Sequence, residues 1–343
     1  MSPSKKAFKV AVVGATGLVG QEMLSTLEER KFPVQEILLF ASEISAGESL
    51  NFKGKPIKIQ ALNKETIEKS GVDISLWSIG TELSKQYIPI ASKKGWICID
   101  NSAAFRMDKG VPLVVPEINP TALKRCSPGT VIANPNCSTI QLVQVLKPLH
   151  DRFTLKRVVV STYQSVSGAG KLALQELEEQ TVALLNSRTA SPKVFPHPIA
   201  FTILPHIDDF LPNGYTKEEA KIINESRKIL SLPDLAITST CARVPVFYSH
   251  SESVNIEFQK PVNIKEIRQL LSKTPGVKVE DDPSRALYPL NTEASGKDET
   301  FVGRIRLDES VKSGINLWVV SDNLRKGAAL NAVQIAELVA SHL

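Results

Sequence analysis

FKVAVVGATGLVGQEMLSTLEER, residues 8–30, decides the fold: a β-branched run passes through Gly14, Gly17 and Gly20 into an amphipathic helical run. A GxxGxxG turn between strand and helix removes side chains where backbone amides would approach a pyrophosphate at the helix N-terminus. The other reading is a glycine-rich turn without a ligand. The flanking strand and helix favour a dinucleotide-binding unit, with Gly14, Thr16, Gly17, Leu18 and Val19 as cofactor contacts.

Outward from this stretch the alternation continues through EILLFAS, DISLWSIG, SKQYIPIASKKG, WICIDNS and TVIANP, as in a parallel α/β sheet. Beyond residue 136 the pattern changes. Longer β-branched runs, RVVVSTYQSVSG, ITSTCARVPVF, ESVNIEFQKPV, FVGRIRLD and INLWVVSD, are interrupted by helical KLALQELEEQTVALL, TKEEAKIINESRKIL and NIKEIRQLLSK. These predict a second, mixed-sheet α+β domain. The last stretch, AALNAVQIAELVASHL, has helical apolar spacing and can return to the first domain. The expected division is 1–135 plus 325–343 for a Rossmann-type domain and 136–324 for a catalytic and dimerisation domain.

Bulk properties fit two folded domains: 343 residues, 42% hydrophobic and 22% charged. The formal charge of +5 is spread among acids, as in KETIEKS and TKEEAK, so no basic stripe offers itself to nucleic acid. The N-terminal apolar run is broken by glycine far short of a bilayer span, and no secretory signal is read there. Cys98, Cys126, Cys137 and Cys241 lack zinc spacing, so the expectation is a reduced, cytoplasmic protein without a structural metal.

Two local patterns carry chemistry. After the second strand stand Ser42 and Ser45, hydroxyls suited to a 2′-phosphate, but Glu43 between them would repel one. A surface turn capped by two serines and an acid is an equal alternative. The other pattern is Asn136-Cys137-Ser138-Thr139 ahead of the helical run IQLVQVLKPL, which places Cys137 at a helix N-terminus, where a thiolate is favoured.

GATGLVG, ASxxSAG, DNSAAFR, PNCSTIQ, STYQSVSGAG, RVPVFYSHSE and SDNLRKGAALNAVQIAE, in this order over nearly the whole chain, resemble the bacterial-type aspartate-semialdehyde dehydrogenase family. The resemblance implies a glyceraldehyde-phosphate-dehydrogenase-like fold and NADPH-dependent reductive dephosphorylation of L-aspartyl-4-phosphate to L-aspartate 4-semialdehyde. That step lies in lysine, methionine and threonine (diaminopimelate) biosynthesis, and the implied assembly is a homodimer. It makes Cys137 the nucleophile that forms a thioester, His250 the general acid/base with an ordinary imidazole pKa, and Gln164 the substrate-orienting amide. By the same resemblance Arg243 clamps the substrate carboxylate, Arg106 and Lys221 take the phosphate, and Glu218 receives the ammonium. Ser167, Gly168 and Asn323 resemble cofactor contacts, and the cofactor is NADP. Without the family, Glu218 and Lys221 read first as an ordinary solvated helix pair. An N-acetyl-glutamyl-phosphate reductase or a glyceraldehyde-phosphate-type enzyme shares the thioester logic, and a non-catalytic NADP-binding regulator shares the fold.

Overall fold

The computed structural model describes residues 7–343, which divide into two compact units. One runs to Pro135 and includes Ala328–Leu343; the other is Asn136–Gly327.

The first unit contains β1 (Phe8–Val13), α1 (Leu18–Glu29), β2 (Val34–Ala41), β3 (Ser49–Phe52), β4 (Lys55–Ala61), α2 (Lys64–Lys69), β5 (Ile74–Trp77), α3 (Thr81–Lys93), β6 (Ile97–Asp100) and β7 (Val131–Ala133). Its seven strands lie in the order β3-β4-β2-β1-β5-β6-β7. Every pairing is parallel except β3 with β4. Strand β1 shows why the central strands are apolar throughout. Val10 and Val12 pack with Ala332, Val333 and Ala336 of the C-terminal helix Leu330–His342, while Ala11 and Val13 pack with Ile88 and Ala91 of α3 on the opposite face. The antiparallel edge hairpin was not part of the expected parallel sheet. Its turn residues Lys53 and Gly54 both have positive φ, the geometry that matches strand twist in a two-residue hairpin.

The second unit contains α4 (Cys137–Phe153), β8 (Leu155–Gln164), α5 (Lys171–Leu185), α6 (Lys217–Leu230), β9 (Ala236–Arg243), β10 (His250–Phe258), α7 (Ile264–Ser272), β11 (Val277–Val279), α8 (Asn291–Ala294), β12 (Thr300–Leu307) and β13 (Gly314–Ser321). Its sheet runs β11-β12-β13-β10-β8-β9 and is mixed: β8–β9 and β11–β12 are parallel, the other pairs antiparallel. This register gathers the chemistry at one end. Gln164 and Arg243 are the paired last residues of β8 and β9, and His250 is the first residue of antiparallel β10.

The second boundary falls after Gly327, three residues beyond the expected one. A π-helical turn, Arg325–Ala329, crosses it. Gly327 stays with the second unit because its N–H donates to Asp322 O and its Cα lies against Cys137, whereas Ala328 O accepts from Asn134 Nδ2 of the first unit.

Candidate active site

In the first unit the glycine turn has the shape a pyrophosphate needs. Gly14 has φ +86°, and a Cβ there would overlap the Ser78 carbonyl, so protein packing already excludes a side chain. Gly17 differs: a Cβ would meet only Gly14 O, at an ordinary 3.4 Å. Packing alone does not demand glycine at 17, and a close-approaching ligand would. Gly17 is also the N-cap of α1, which has no side-chain cap and no acid in its first turn, leaving the helix N-terminus with its amides and Thr16, Leu18 and Val19 about it. These residues fit a dinucleotide phosphate. Beyond β2, Ser42 caps a short 3₁₀ turn, Glu43–Ser45, in which Ser42 and Glu43 are exposed and Ser45 is half-buried. Ile44 in that turn is 93% exposed, and no basic side chain lies within it. Arg106 belongs to this unit too, buried, with Nε and Nη2 donating to the Asn134 and Asn101 carbonyls at 2.9 Å each.

In the second unit Cys137 is the first residue of α4 and is half-buried. Asn136 holds the helix start. Its Oδ1 accepts from Ser138 and Thr139 N–H, its own N–H donates to Glu225 Oε2 at 2.7 Å, and its Nδ2 donates to Glu218 Oε1 at 2.7 Å. Glu218 Oε1 also accepts from Gln164 Nε2 at 3.1 Å, and its Oε2 from Lys221 Nζ at 3.2 Å. Glu218 is only 6% exposed, so the solvated-pair alternative fails. Burial pushes its carboxyl up, but Lys221, Asn136, Gln164 and Arg243 together hold it below the usual range, so it is ionised. Arg243 is buried beside it. Its Nη1 donates to Ser165 O at 2.7 Å, and its other donors have no hydrogen-bond partner among the described residues, leaving a fork open to a carboxylate. Burial lowers its pKa, opposed by Glu218, Cys137 and Cys241.

His250 departs from the expected ordinary imidazole. Burial, with the Arg243 guanidinium adding to it, pushes its pKa down to about 3. Its Nδ1 accepts from the Ser165 N–H at 3.1 Å, which assigns the proton of the neutral ring to Nε2. Nε2 has no hydrogen-bond partner among the described residues and faces Gly168, whose Cβ, if present, would lie 3.3 Å from it. Ser165 is therefore a site residue the sequence did not reveal. Its neighbours explain Ser167 and Asn323: Asn323 Oδ1 accepts from Ser165 Oγ, Ser167 Oγ and the Ser249 N–H, and Asn323 Nδ2 donates to Ser167 Oγ. These side chains are engaged with one another and frame His250.

Gly327 fixes Cys137 from behind, since a Cβ there would stand 2.8 Å from the Cys137 Cβ. Gly327→Ala is expected to displace the thiol by roughly half an ångström or more and lower kcat at least about tenfold, with dinucleotide binding unchanged. Steady-state kinetics beside cofactor titration would check this; a wild-type kcat would show that the contact is slack.

The comparisons accord with this arrangement. Residues 9–126 match a domain family described as semialdehyde dehydrogenase, NAD binding domain, and residues 146–326 match semialdehyde dehydrogenase, dimerisation domain. The aspartate-semialdehyde dehydrogenase of Aquifex aeolicus is 53% identical over 334 residues, covering 97% of this chain and 98% of the relative. Aspartate-semialdehyde dehydrogenase 2 of Vibrio cholerae is 49% identical over 335 residues, covering 97% of each. A crystal structure of the Vibrio cholerae aspartate semialdehyde dehydrogenase II, complexed with ASA, superposes with TM-score 0.93 at 47% identity over 98% of this chain and 99% of that one. With two family domains in sequence and near-full-length relatives at about half identity, the chain belongs to the aspartate-semialdehyde dehydrogenase family.

Proposed function

We propose that the protein catalyses the NADPH-dependent reductive dephosphorylation of L-aspartyl-4-phosphate to L-aspartate 4-semialdehyde through a thioester on Cys137, as a cytoplasmic homodimer serving lysine, methionine and threonine synthesis. The observation that carries this reading is Glu218: an ionised, buried carboxylate tied through Asn136 to the helix that begins with Cys137. A buried carboxylate beside a nucleophile fits a free substrate ammonium and would repay nothing to an acylated amine, which disfavours the N-acetyl-glutamyl-phosphate reductase reading.

The Cys137 thiolate attacks the acyl carbon and phosphate leaves, giving the thioester. A nicotinamide dinucleotide, when bound, would supply the hydride for reduction of the thioester. The resulting oxyanion accepts a hydrogen bond from neutral His250 Nε2–H and collapses, expelling the thiolate and releasing the aldehyde. The reduction half needs no net proton transfer, so there an imidazole with a pKa of about 3 suffices as a hydrogen-bond donor, and the one proton of the acylation half is taken from solvent by the departing phosphate. Arg243 takes the α-carboxylate, Arg106 and Lys221 take phosphate, Gln164 orients the substrate, and Ser167, Gly168 and Asn323 line the nicotinamide side. Support for the homodimer comes from the dimerisation-domain match and from exposed apolar side chains of the second unit, among them Leu172, Leu185, Phe201 and Phe210. No helix among the described residues is long and apolar enough to cross a membrane.

The test is phosphate-dependent reduction of NADP with L-aspartate 4-semialdehyde, run beside N-acetyl-glutamate semialdehyde. Turnover with the first alone is expected; turnover with the second, or with neither while the dinucleotide still binds, would reject the assignment. The same assay reads cofactor choice. Glu43 lies in the exposed turn after β2, so Glu43→Lys is expected to raise the NADP over NAD preference in kcat/KM about tenfold. An unchanged ratio would place the 2′-phosphate away from that turn.

A further inference from the structure

Lys221 is shared between two carboxylates. Its Nζ lies 2.7 Å from Asp208 Oδ2 and 3.2 Å from Glu218 Oε2. Asp208 enters from outside the helix, just ahead of a tight turn in which Lys217 N–H donates to Asp209 O, Leu211 N–H donates to Tyr215 O, and Phe210 bridges to Thr216. Its backbone is left-handed, φ +69°, a conformation Asp tolerates better than most residues. Its Oδ1 accepts from the Asp209 N–H at 2.9 Å, so the carboxylate is held at one oxygen and holds Lys221 with the other. The two side chains are about a third exposed, 32% for Asp208 and 27% for Lys221. This is a fixed pair, unlike the surface pair Lys217–Asp209 beside it, whose partners are 52% and 74% exposed.

We propose that Asp208 is a positioning residue for the phosphate half of the reaction, acting through Lys221: it anchors the ammonium and, as a second anion on one cation, keeps phosphate affinity low enough for release. The inference rests on the reading that Lys221 takes phosphate. With Glu218 alone, the Lys221 charge is balanced once; with Asp208 the three groups carry a net charge of −1. An incoming phosphate dianion therefore meets residual negative charge at the very cation that receives it. Asp208 is ionised throughout the working range. Burial pushes its carboxyl up, but Lys221, the Asp209 N–H and Lys217 together hold it below the usual carboxylate value. Removing this anion leaves Lys221 anchored by Glu218, so the loss of charge outweighs the loss of orientation.

The experiment measures KM for inorganic phosphate in aldehyde oxidation for two variants. Asp208→Asn preserves shape, and Asp208→Gly suits the left-handed backbone and keeps the fold if Asn does not. In both, the phosphate KM is expected to fall about three- to tenfold while the aldehyde and dinucleotide KM values stay within about twofold, a split that a merely structural role would not produce. A phosphate KM that is unchanged or raised in the Gly variant overturns the proposal. Lys221→Met separates the two layers. If it raises the phosphate KM while the Asp208 variants do nothing, the role of Asp208 alone fails; if it leaves the phosphate KM unchanged, the Lys221 assignment fails and takes this inference with it.

Discussion

Replacing Cys137 by Ala is expected to lower kcat at least about 10⁴-fold in both directions, since removal of a covalent nucleophile leaves only binding and oxyanion stabilisation. No other thiol can take its place. Cys98 and Cys241 are fully buried, and burial pushes each up to about 12; Cys126 is also raised by burial and lies in the first unit. Cys137 alone begins a helix of 17 residues, capped by Asn136, where the helix dipole favours the thiolate. Cys137→Ser should fail almost as badly, because a hydroxyl at that position has no base to deprotonate it: His250 Nδ1 is already accepting from Ser165, and its Nε2 carries the proton. Mass spectrometry of the wild type quenched with aldehyde, dinucleotide and no phosphate should find an acyl adduct on the Cys137 peptide. An alanine variant keeping more than about 1% of kcat, or an adduct elsewhere, would remove the thioester from the reaction.

How much of this was legible in the sequence follows the range of each signal. The glycine turn, β1 and α1 were readable because the information is local: β-branched residues, three glycines and an amphipathic period lie within 23 consecutive residues. Cys137 was placed at a helix start by the polar residues before an apolar period, and Asn136 could have been named as its cap by the same rule. What Asn136 does besides capping was hidden, because Glu218 and Glu225 meet it from about 80 and 90 residues away. The edge hairpin was missed although Leu50 and Phe52, then Ile57, Ile59 and Ala61, alternate with polar residues, because β3 is only four residues long, both strands are largely exposed, and the turn Lys53-Gly54 lacks the usual Asn-Gly or Asp-Gly signature. Ser165, like Asp208, had no local mark at all. Its role arises from a backbone N–H aimed at a ring 85 residues on, which no residue type can signal. Burial was the decisive unknown for His250: one residue at a strand start can be wet or dry, and its motif reads the same in either case.

That burial gives the second large effect. His250→Ala is expected to lower kcat about 10²- to 10³-fold, the loss typical of removing one oxyanion donor. His250→Gln, whose amide can still donate, should lose only about tenfold. This ordering separates a neutral hydrogen-bond donor from a general acid/base, because a glutamine cannot exchange protons and would be as inactive as alanine if transfer were required. Wild-type kcat/KM should accordingly show no limb near pH 6.5 that disappears in the Gln variant. Stability supplies an independent check. The folded-state pKa of about 3 lies below the ordinary value of 6.5, so the fold favours the neutral ring. The associated stability is fully present above about pH 6.5 and is lost as pH falls towards 3, up to about 5 kcal/mol for this one group. Urea midpoints measured from pH 7 down to pH 4 should therefore fall more steeply for wild type than for His250→Gln, which cannot be protonated in the unfolded chain. Parallel curves would mean that His250 is solvated in solution and free to titrate, and the acid/base role implied by the family motif would then be restored.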